Sequence, residues 1–235
     1  MIRAIIFDLD NTLVDFMAMK KRAVEAAAWA MVDCGLPMSV EDATTGIFKT
    51  YSTLGIESQE VFDEFLTNEI GHIDYKVLSS GIVAYRTARE AALQPYPYAI
   101  ETIISLIRSG QKLAILSDAP RREAWLRLCQ VGLHHYFDVV VTFEDTGFHK
   151  PSPEPFARAL ADLEVDPKEA IMIGDWPERD MVGARAAGLW TVWAKYGMTS
   201  EATSTDADFE IDEVRDLIGV IDEINTRTET GEQSR

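Results

Sequence analysis

The sequence has little cysteine and no long apolar run, and both shortages limit what the protein can be. Two cysteines, Cys34 and Cys129, occur in 235 residues, too few for the disulfide framework of a small secreted protein. Both lie in apolar, helix-like stretches, so we expect buried free thiols. The longest apolar run, Ala26–Val32, falls well short of the ~20 residues that span a bilayer. Because the first apolar segment reads as a core strand rather than a signal peptide, we expect a soluble protein of the cytoplasm.

Positive charge is also scarce. There are 22 lysines and arginines against 39 aspartates and glutamates, which gives a formal net charge of −17. Such a chain repels nucleic acids and anionic membranes at long range, so we predict neither as a partner. If so acidic a protein binds an anionic ligand, it needs local positive charge at the binding site, and a basic residue is then expected there.

Apolar segments bounded by turn-forming residues recur along most of the chain. Such segments are typical of strands that are buried on both faces of a sheet. Helical patterns separate the later segments, and this alternation predicts an α/β fold with a doubly wound parallel sheet, a Rossmann-like core. The predicted strands are Ile2–Phe7, Lys112–Leu116, Asp138–Val141, Ala170–Ile173 and Leu189–Trp193.

The stretch from Phe16 to Leu93 differs, because its apolar residues recur at helical spacing and no convincing strand interrupts them. We therefore predict a helical subdomain, residues 16–95, inserted into a catalytic core that is formed by residues 1–15 and 96–225. The last ten residues, 226–235, are polar and are predicted to be disordered. The predicted helices of the insert are Met17–Val32, Ala43–Tyr51, Val61–Ile70 and Tyr75–Ala91.

Polar residues follow the predicted strands, at the sheet edge where ligands of open α/β sheets bind. Since the carboxyl ends of parallel strands meet at one edge, we expect these side chains to come together. They are Asp8 and Asp10 after the first strand, Ser117 and Asp118 after the second, Lys150 after the third and Asp175 after the fourth.

Each of these residues has an ordinary structural explanation when it is considered alone. An Asp-x-Asp pair can form a turn, a serine can cap a helix, and a lysine can lie on the surface. Together they suit a different role. Carboxylates from separate strands bind a hard divalent cation such as Mg²⁺, and Lys150 and the Ser117 hydroxyl add the donors that a phosphoryl group requires.

Four segments, in order along the chain, resemble the signatures of the haloacid dehalogenase superfamily of hydrolases, in its phosphatase branch. The resemblance extends from about Ile2 to Gly197 and implies a phosphoric monoester hydrolase that acts on a small phosphorylated metabolite. Monomer and homodimer are both compatible with it. The four segments are Asp8-Leu9-Asp10-Asn11-Thr12, Ser117 at the end of its strand, Lys150 before Pro151, and Gly174-Asp175-x4-Asp180.

The resemblance also implies catalytic roles. Asp8 is the nucleophile that becomes phosphorylated, and Asp10 protonates the leaving group and then activates water. Lys150 holds the charge of Asp8 and of the phosphate. Thr12 and Ser117 bind the phosphoryl group or support its loop.

A Mg²⁺ cofactor is implied in the same way. Its expected ligands are the side chains of Asp8 and Asp175 and the main-chain carbonyl of Asp10. Asp180 is expected to act on this site indirectly, through water or through Lys150.

Asp118 departs from the family pattern, because many relatives have asparagine at this position. An extra carboxylate there would repel phosphate, so we interpret Asp118 as the cap of the helix that begins near Pro120. Binding of the substrate by Asp118 is the alternative interpretation.

The insert stands where this family has a type-one cap, which covers the active site and selects small substrates. Most of its aromatic and methionine residues have the helical spacing of core residues. The candidates for contact with the substrate are Phe16, Met17, Lys20, Tyr51 and His72.

Three other functions are compatible with this fold. A 2-haloacid dehalogenase has no leaving alkoxide to protonate, so Asp10 argues against it, whereas a phosphomutase is compatible with all of the signature residues. A binding protein on a retained fold is the third, and fold alone does not establish function. Such a protein would have lost at least one signature residue, but Asp8, Asp10, Lys150 and Asp175 are all present.

Overall fold

The structure, a computed structural model, describes residues 1–197 and 205–230. The chain divides into two compact units, one formed by Met1–Asp15 with Gln94–Arg235 and the other by Phe16–Leu93. The strands are β1 (Ala4–Phe7), β2 (Lys112–Leu116), β3 (Val139–Val141), β4 (Ala170–Gly174), β5 (Trp190–Ala194) and β6 (Phe209–Ile211). The α-helices are α1 (Phe16–Asp33), α2 (Val40–Leu54), α3 (Val61–Ile70), α4 (Tyr75–Ala92), α5 (Ala99–Arg108), α6 (Arg121–Gln130), α7 (Phe143–Thr146), α8 (Pro153–Leu163), α9 (Val182–Ala186) and α10 (Leu217–Thr230).

The first unit is built on a single parallel sheet of six described strands, in the order β3-β2-β1-β4-β5-β6. All pairs of neighbouring strands run parallel, and the predicted doubly wound α/β fold is confirmed. The edge strand β6 was not predicted. Its three residues, Phe-Glu-Ile, have a glutamate at the centre and so lack the apolar run that identifies the other strands, including the equally short β3, Val-Val-Val.

The central strand β1 explains why the predicted site residues converge. Its four residues are fully buried, as expected for a strand that is covered on both faces. In the sheet register Phe7 lies beside Ile115 of β2 and Ile173 of β4. The carboxyl ends of these three strands therefore lie side by side, and the loops that follow them begin at one edge of the sheet.

The helices of the first unit pack on this sheet through faces set by their sequences. In α8 the buried Phe156, Leu160 and Leu163 recur at helical spacing and join Ile6 and Met172 in one hydrophobic cluster. Such spacing produces one apolar stripe that faces the core. This packing fixes the strands from which the polar loops emerge.

The second unit contains α1 to α4 and has its own hydrophobic core. On α1 the buried residues include Val24, Ala27 and Met31. Gly81 of α4 lies against Met31, and a Cβ at position 81 would collide with that side chain. The absence of a side chain at Gly81 therefore allows α1 and α4 to approach closely.

Lys20 is an unusual buried charge within the second unit. Its ammonium group donates to the carbonyl of Ile56 at 2.8 Å and to the Tyr85 hydroxyl at 2.9 Å. It also lies 3.9 Å from the ring centroid of Tyr51, a favourable cation–π arrangement. Burial raises the pKa of the Tyr51 hydroxyl above its usual value. Contact between Lys20 and the substrate stays a prediction.

The predicted disorder of the C-terminal residues from 226 onward is wrong for Thr226–Thr230. These residues form the last turns of α10, where the Thr226 and Thr230 hydroxyls donate to the carbonyls of Asp222 and Thr226. The helix is anchored by Leu217, Val220, Ile221 and Ile224, which recur at helical spacing and are buried. Residues 231–235 lie outside the described part of the chain.

Both cysteines are free, as predicted, but Cys129 is exposed and Cys34 is only half-buried. Cys129 is exposed because the buried face of α6 is formed by its neighbours Ala124, Arg127 and Leu128. Among residues 1–197 and 205–230, no helix combines the length and apolar character of a membrane span.

Candidate active site

The loop after β1 folds back on itself and projects Asp8 from the sheet edge. The Asp8 amide donates to the carbonyl of Ile173 at 2.9 Å, which continues the pairing with β4. Asn11 then adopts a left-handed conformation, with φ of 60°, and its amide donates to the carbonyl of Val14 at 2.7 Å. Asparagine tolerates this conformation better than most residues. The turn therefore follows from the sequence of the first motif.

Lys150 lies at the centre of the site. Its Nζ lies 2.6 Å from Asp8 Oδ1 and 2.7 Å from Asp180 Oδ1, and it donates to the carbonyl of Leu116 at 3.0 Å. The side chain is almost completely buried. Burial by itself lowers the pKa of this ammonium group, but the Asp180 and Asp8 carboxylates outweigh burial, and the pKa of Lys150 is raised. Lys150 is thus a fixed positive charge between two carboxylates.

Three buried carboxylates surround one point. Oxygens of Asp8, Asp175 and Asp180 all lie within 4.8 Å of one another. Asp180 is held by Lys150 and by the Trp176 amide, which donates to its Oδ2 at 3.0 Å. Both side-chain oxygens of Asp180 are thus engaged by donors, which favours Asp8 and Asp175 as the side-chain ligands for a cation.

The loop that carries Asp175 is fixed by contacts on both sides. The indole Nε1 of Trp193 on β5 donates to the main-chain carbonyl of Asp175 at 3.1 Å. Gly174 precedes it, and a Cβ at this position would collide with the Asp180 side chain. The Gly-Asp-x4-Asp motif thus needs its glycine because the second aspartate folds back over it.

Burial and crowding raise the pKa values of two of these acids, Asp8 and Asp175. Burial is the largest cause for both: the pKa of Asp8 rises to about 7 and that of Asp175 to about 9. Nearby carboxylates raise both values further, and Lys150 opposes them. A divalent cation beside these oxygens would restore the ionised forms. The all-oxygen donors are those that Mg²⁺ prefers, so the residues fit such an ion.

The two hydroxyl residues that are predicted to bind phosphate, Thr12 and Ser117, are both buried. Thr12 Oγ1 lies 3.5 Å from Asp8 Oδ2, which is a weak hydrogen bond at best. The Thr12 carbonyl accepts from the Tyr196 hydroxyl at 2.9 Å. Ser117 accepts from the Ala119 amide through its Oγ at 3.2 Å. Both hydroxyls stand at the edge where Asp8 emerges, and phosphate binding by them stays a prediction.

Asp118 does not cap the following helix, so that interpretation is wrong. The helix α6 begins at Arg121 after Pro120 and has no side-chain cap among the described contacts. Asp118 instead joins two loops: its Oδ1 accepts from the Lys150 amide at 2.9 Å, and its Oδ2 lies 3.3 Å from the Arg179 guanidinium. The ion pair with Arg179 offsets part of the negative charge of Asp118, and the bond from the Lys150 amide fixes the main chain at that lysine.

Arg127 is a residue of this site that the sequence analysis missed. Its NH1 donates to Asp10 Oδ2 at 2.6 Å, and the arginine side chain is 7% exposed. The two residues are 117 positions apart, and no motif connects them. One signal was available in the sequence: a basic residue at the helical spacing of Ala124 and Leu128, on the face of α6 that packs inward.

Comparison with known proteins decides the family. The family model for haloacid dehalogenase-like hydrolases matches residues 2–188. The chain belongs to the haloacid dehalogenase-like hydrolase family. The matched residues include all four predicted motifs, from Asp8 to Asp180. The predicted membership of this family is therefore confirmed.

Individual members of the haloacid dehalogenase-like hydrolases match over nearly the whole chain. The glyceraldehyde 3-phosphate phosphatase of Methanopyrus kandleri is 33% identical over 239 residues, which cover 95% of this chain and 99% of that protein. Its counterpart in Methanocaldococcus jannaschii is 30% identical over 222 residues, which cover 94% and 97%. A crystal structure of a phosphatase of this family from Thermococcus onnurineus matches with a TM-score of 0.69 at 27% identity, over 94% of this chain and 98% of that one. The predicted enzyme class, a phosphatase of this family, is confirmed.

Proposed function

We propose that this protein is a Mg²⁺-dependent phosphatase that hydrolyses small phosphate monoesters through an aspartyl-phosphate at Asp8. The observation that supports it most is the position of Lys150, whose ammonium group lies within 2.7 Å of both Asp8 and Asp180 in a buried site. A nucleophilic carboxylate that meets an anionic phosphate needs such a fixed positive charge.

In the first step, an Asp8 carboxylate oxygen attacks phosphorus and the bond from phosphorus to the ester oxygen breaks. The leaving oxygen takes a proton from the Asp10 carboxyl group. Lys150, which is held by Leu116 and Asp180, keeps Asp8 in place and offsets the charge of the phosphoryl group. The alcohol leaves, and the phosphoryl group stays on Asp8.

In the second step, water attacks the phosphorus of the aspartyl-phosphate. Asp10, now a carboxylate, takes a proton from that water, and the bond between phosphorus and the Asp8 oxygen breaks. Inorganic phosphate leaves, and both aspartates return to their starting states. One residue serves as acid and then as base because the proton it loses in the first step is regained in the second.

The Asp8 and Asp175 side chains and the main-chain carbonyl of Asp10 would hold the Mg²⁺ ion. A bound Mg²⁺ ion offsets the negative charge of the phosphoryl group and of the carboxylates. Asp180 supports this site through Lys150 and the Trp176 amide. The raised pKa values of Asp8 and Asp175 support a cation at this position, since ionised carboxylates would otherwise be crowded together.

Among small phosphate monoesters, glyceraldehyde 3-phosphate is our first candidate substrate. Two relatives named glyceraldehyde 3-phosphate phosphatase match this chain at 30% and 33% identity over nearly its full length. The helical unit, Phe16–Leu93, acts in this proposal as the cap that selects the substrate. Bulky phosphoproteins and nucleic acids are then poor substrates, and the net charge of −17 disfavours them further.

The test is phosphate release from a panel of metabolites with the metal-depleted and Mg²⁺-restored protein. We expect turnover of glyceraldehyde 3-phosphate that is lost on metal depletion and returns with Mg²⁺. A panel that includes phosphoserine, phosphoglycolate, pyrophosphate and nucleoside monophosphates ranks the substrate classes. Full activity in excess chelator, or halide release from a 2-haloacid without phosphate release, would contradict the proposal. Interconversion of sugar phosphates without phosphate release would identify a phosphomutase.

A further inference from the structure

Arg127 reaches the predicted acid and base from a helix that carries none of the four motifs. It lies near the end of α6, and its NH1 donates to Asp10 Oδ2 at 2.6 Å. This distance is short for a bond between a guanidinium and a carboxylate. The arginine side chain is 7% exposed and that of Asp10 is 21% exposed.

The surroundings of Arg127 argue against a purely structural role. The other buried residues of α6 are Glu123, Ala124 and Leu128, and of these Ala124 and Leu128 are completely buried apolar side chains. Buried ion pairs contribute little net stability compared with well-packed apolar residues, because desolvation of the two charges offsets their attraction. The ion pair with Asp10 therefore gives Arg127 little net stabilising effect of its own.

The geometry of the bond indicates another role. A guanidinium is planar, stays charged and presents its donors in a fixed arrangement. A donor on Oδ2 restricts rotation of the Asp10 carboxyl group about its Cβ–Cγ bond. General acid–base catalysis requires the exchanging group to lie within hydrogen-bond reach of the proton it gives or takes, so the orientation of this carboxyl group matters for both steps.

We propose that Arg127 is a positioning residue for Asp10. By holding Oδ2, it sets the orientation in which the Asp10 carboxyl group gives its proton to the leaving oxygen and later takes one from water. The proposal rests on the proposed function, in which Asp10 is the acid and base. It predicts that the loss of Arg127 affects proton transfer selectively and leaves the attack by Asp8 largely intact.

The dependence on the leaving group isolates this effect. An alkoxide needs a proton in order to leave, whereas p-nitrophenolate does not. The ratio kcat/KM reports only the steps up to departure of the leaving group. We expect Arg127→Gln to lower kcat/KM for glyceraldehyde 3-phosphate, or for the best alkyl phosphate of the panel, by about 10-fold to 100-fold. The value of kcat/KM for p-nitrophenyl phosphate should fall by less than about threefold.

Three further variants complete the experiment. Arg122→Gln is the matched control, since Arg122 lies on the same helix with its side chain 78% exposed, and we expect it to change neither value. Asp10→Asn, followed as the release of alcohol or nitrophenolate in a single turnover because its hydrolysis step is blocked, should show the same selective loss as Arg127→Gln, with a larger magnitude. Arg127→Lys keeps the charge with a different donor geometry and should fall between the parent and Arg127→Gln. If Arg127→Gln does not fold, as judged by the absence of a cooperative thermal transition, the comparison of the two substrates is made with Arg127→Lys instead.

The outcomes separate the two claims. If Asp10→Asn is not selective for alkyl phosphates, the role of Asp10 in the proposed function fails. If Asp10→Asn is selective but the Arg127 variants lower both substrates equally, or neither, Arg127 does not position Asp10 and the proposed function stands.

Discussion

At the scale of single residues, one buried ammonium group, that of Lys150, lies among three buried carboxylates, one of which is Asp8. This excess of negative charge determines how the acids of the site ionise. Lys150 contacts Asp8 and Asp180 directly, while Asp175 lies beside them. The pKa of Asp8, raised to about 7 mainly by burial, means that ionisation of Asp8 destabilises the metal-free folded protein near neutral pH. The proposed nucleophile therefore lowers the stability of the metal-free fold when it is ionised.

Asp8→Asn should abolish turnover and stabilise the metal-free protein. An amide is not a nucleophile towards phosphorus, so we expect kcat to fall by about 10³-fold or more. The neutral amide also removes the cost of ionising residue 8, so the thermal midpoint without metal should rise at pH 8. Asp162→Asn, which removes an exposed charge paired with Arg158, is the control and should alter neither property. Turnover within a few-fold of the parent would remove Asp8 from its role.

Gly174→Ala should damage the site through the Asp180 side chain. The added Cβ would collide with that carboxylate, which also holds Lys150. We expect a loss of about 1–3 kcal/mol in the free energy of unfolding, the usual cost of overpacking, together with a fall in kcat. Gly219→Ala on α10 meets no atom within 4 Å and should be neutral or stabilising. Calorimetry of both variants checks this, and equal midpoints would show that the loop yields without cost.

The motif residues and Arg127 mark the limit of prediction from sequence at this scale. Asp8, Lys150 and Asp175 could be placed together because each follows a recognisable strand of one parallel sheet. Arg127 could not be paired with Asp10, because a helix face and a loop 117 positions away meet only through the packing of α6. Asp118 was misinterpreted for the same reason: its partners Lys150 and Arg179 come from loops whose relative positions the sequence does not specify.

At the scale of elements, strands β1 to β5 could be predicted from the sequence, whereas the edge strand β6 and the last helix, α10, could not. Strands β1 to β5 are apolar runs bounded by turn formers, which are visible without any partner. Strand β6 and α10 lie in a stretch rich in acidic residues, where a short edge strand and a helix with a single apolar stripe give a weaker signal. Contacts with the rest of the first unit supply what the local sequence lacks: the Ile2 amide, for example, donates to the Asn225 side chain at 2.6 Å.

The contacts of α10 predict which of its residues are needed for the stability of the fold. Ile224 is completely buried, and Ile224→Ala should lower the free energy of unfolding by about 2–5 kcal/mol. Truncation after Thr226 keeps Ile224 and Asn225 and removes the Arg227 guanidinium, which lies 5.1 Å from the ring centroid of Phe209. That exposed contact is worth about 0.5–1 kcal/mol, so the truncated protein should keep its activity and most of its stability. Denaturant unfolding of both proteins is the measurement, and a larger loss on truncation than in Ile224→Ala would contradict this division.

At the scale of the whole molecule, the titration of the site should appear in the stability of the metal-free protein. Asp8 and Asp175 have folded-state pKa values of about 7 and about 9, above the ordinary value of 3.8. Between about pH 4 and about pH 9 the folded protein therefore holds more protons than the unfolded chain, and the free energy of unfolding falls as the pH rises through this window. The stabilisation by Mg²⁺ should grow over the same window, because metal and protons compete for the same oxygens.

Thermal unfolding in chelator and in Mg²⁺, at a series of pH values, checks this behaviour. A change of 1 kcal/mol corresponds to roughly 2–4 °C for a chain of this length. Asp175→Asn should flatten the pH dependence of the metal-free midpoint and reduce the shift produced by Mg²⁺. An unchanged pH dependence in that variant would mean that repulsion across the acidic surface, with its net charge of −17, dominates instead.

The central claim is that a phosphoryl group is transferred to Asp8. Asp10→Asn should allow this transfer from p-nitrophenyl phosphate, whose leaving group needs no proton, and should block the hydrolysis that follows. Peptide mass spectrometry of this variant after incubation with Mg²⁺ and p-nitrophenyl phosphate should find a phosphoryl group on Asp8, removable by hydroxylamine and absent when Asp8→Asn is added to the same chain. Release of nitrophenolate with an unmodified Asp8, or a phosphoryl group on a different residue, would contradict the mechanism.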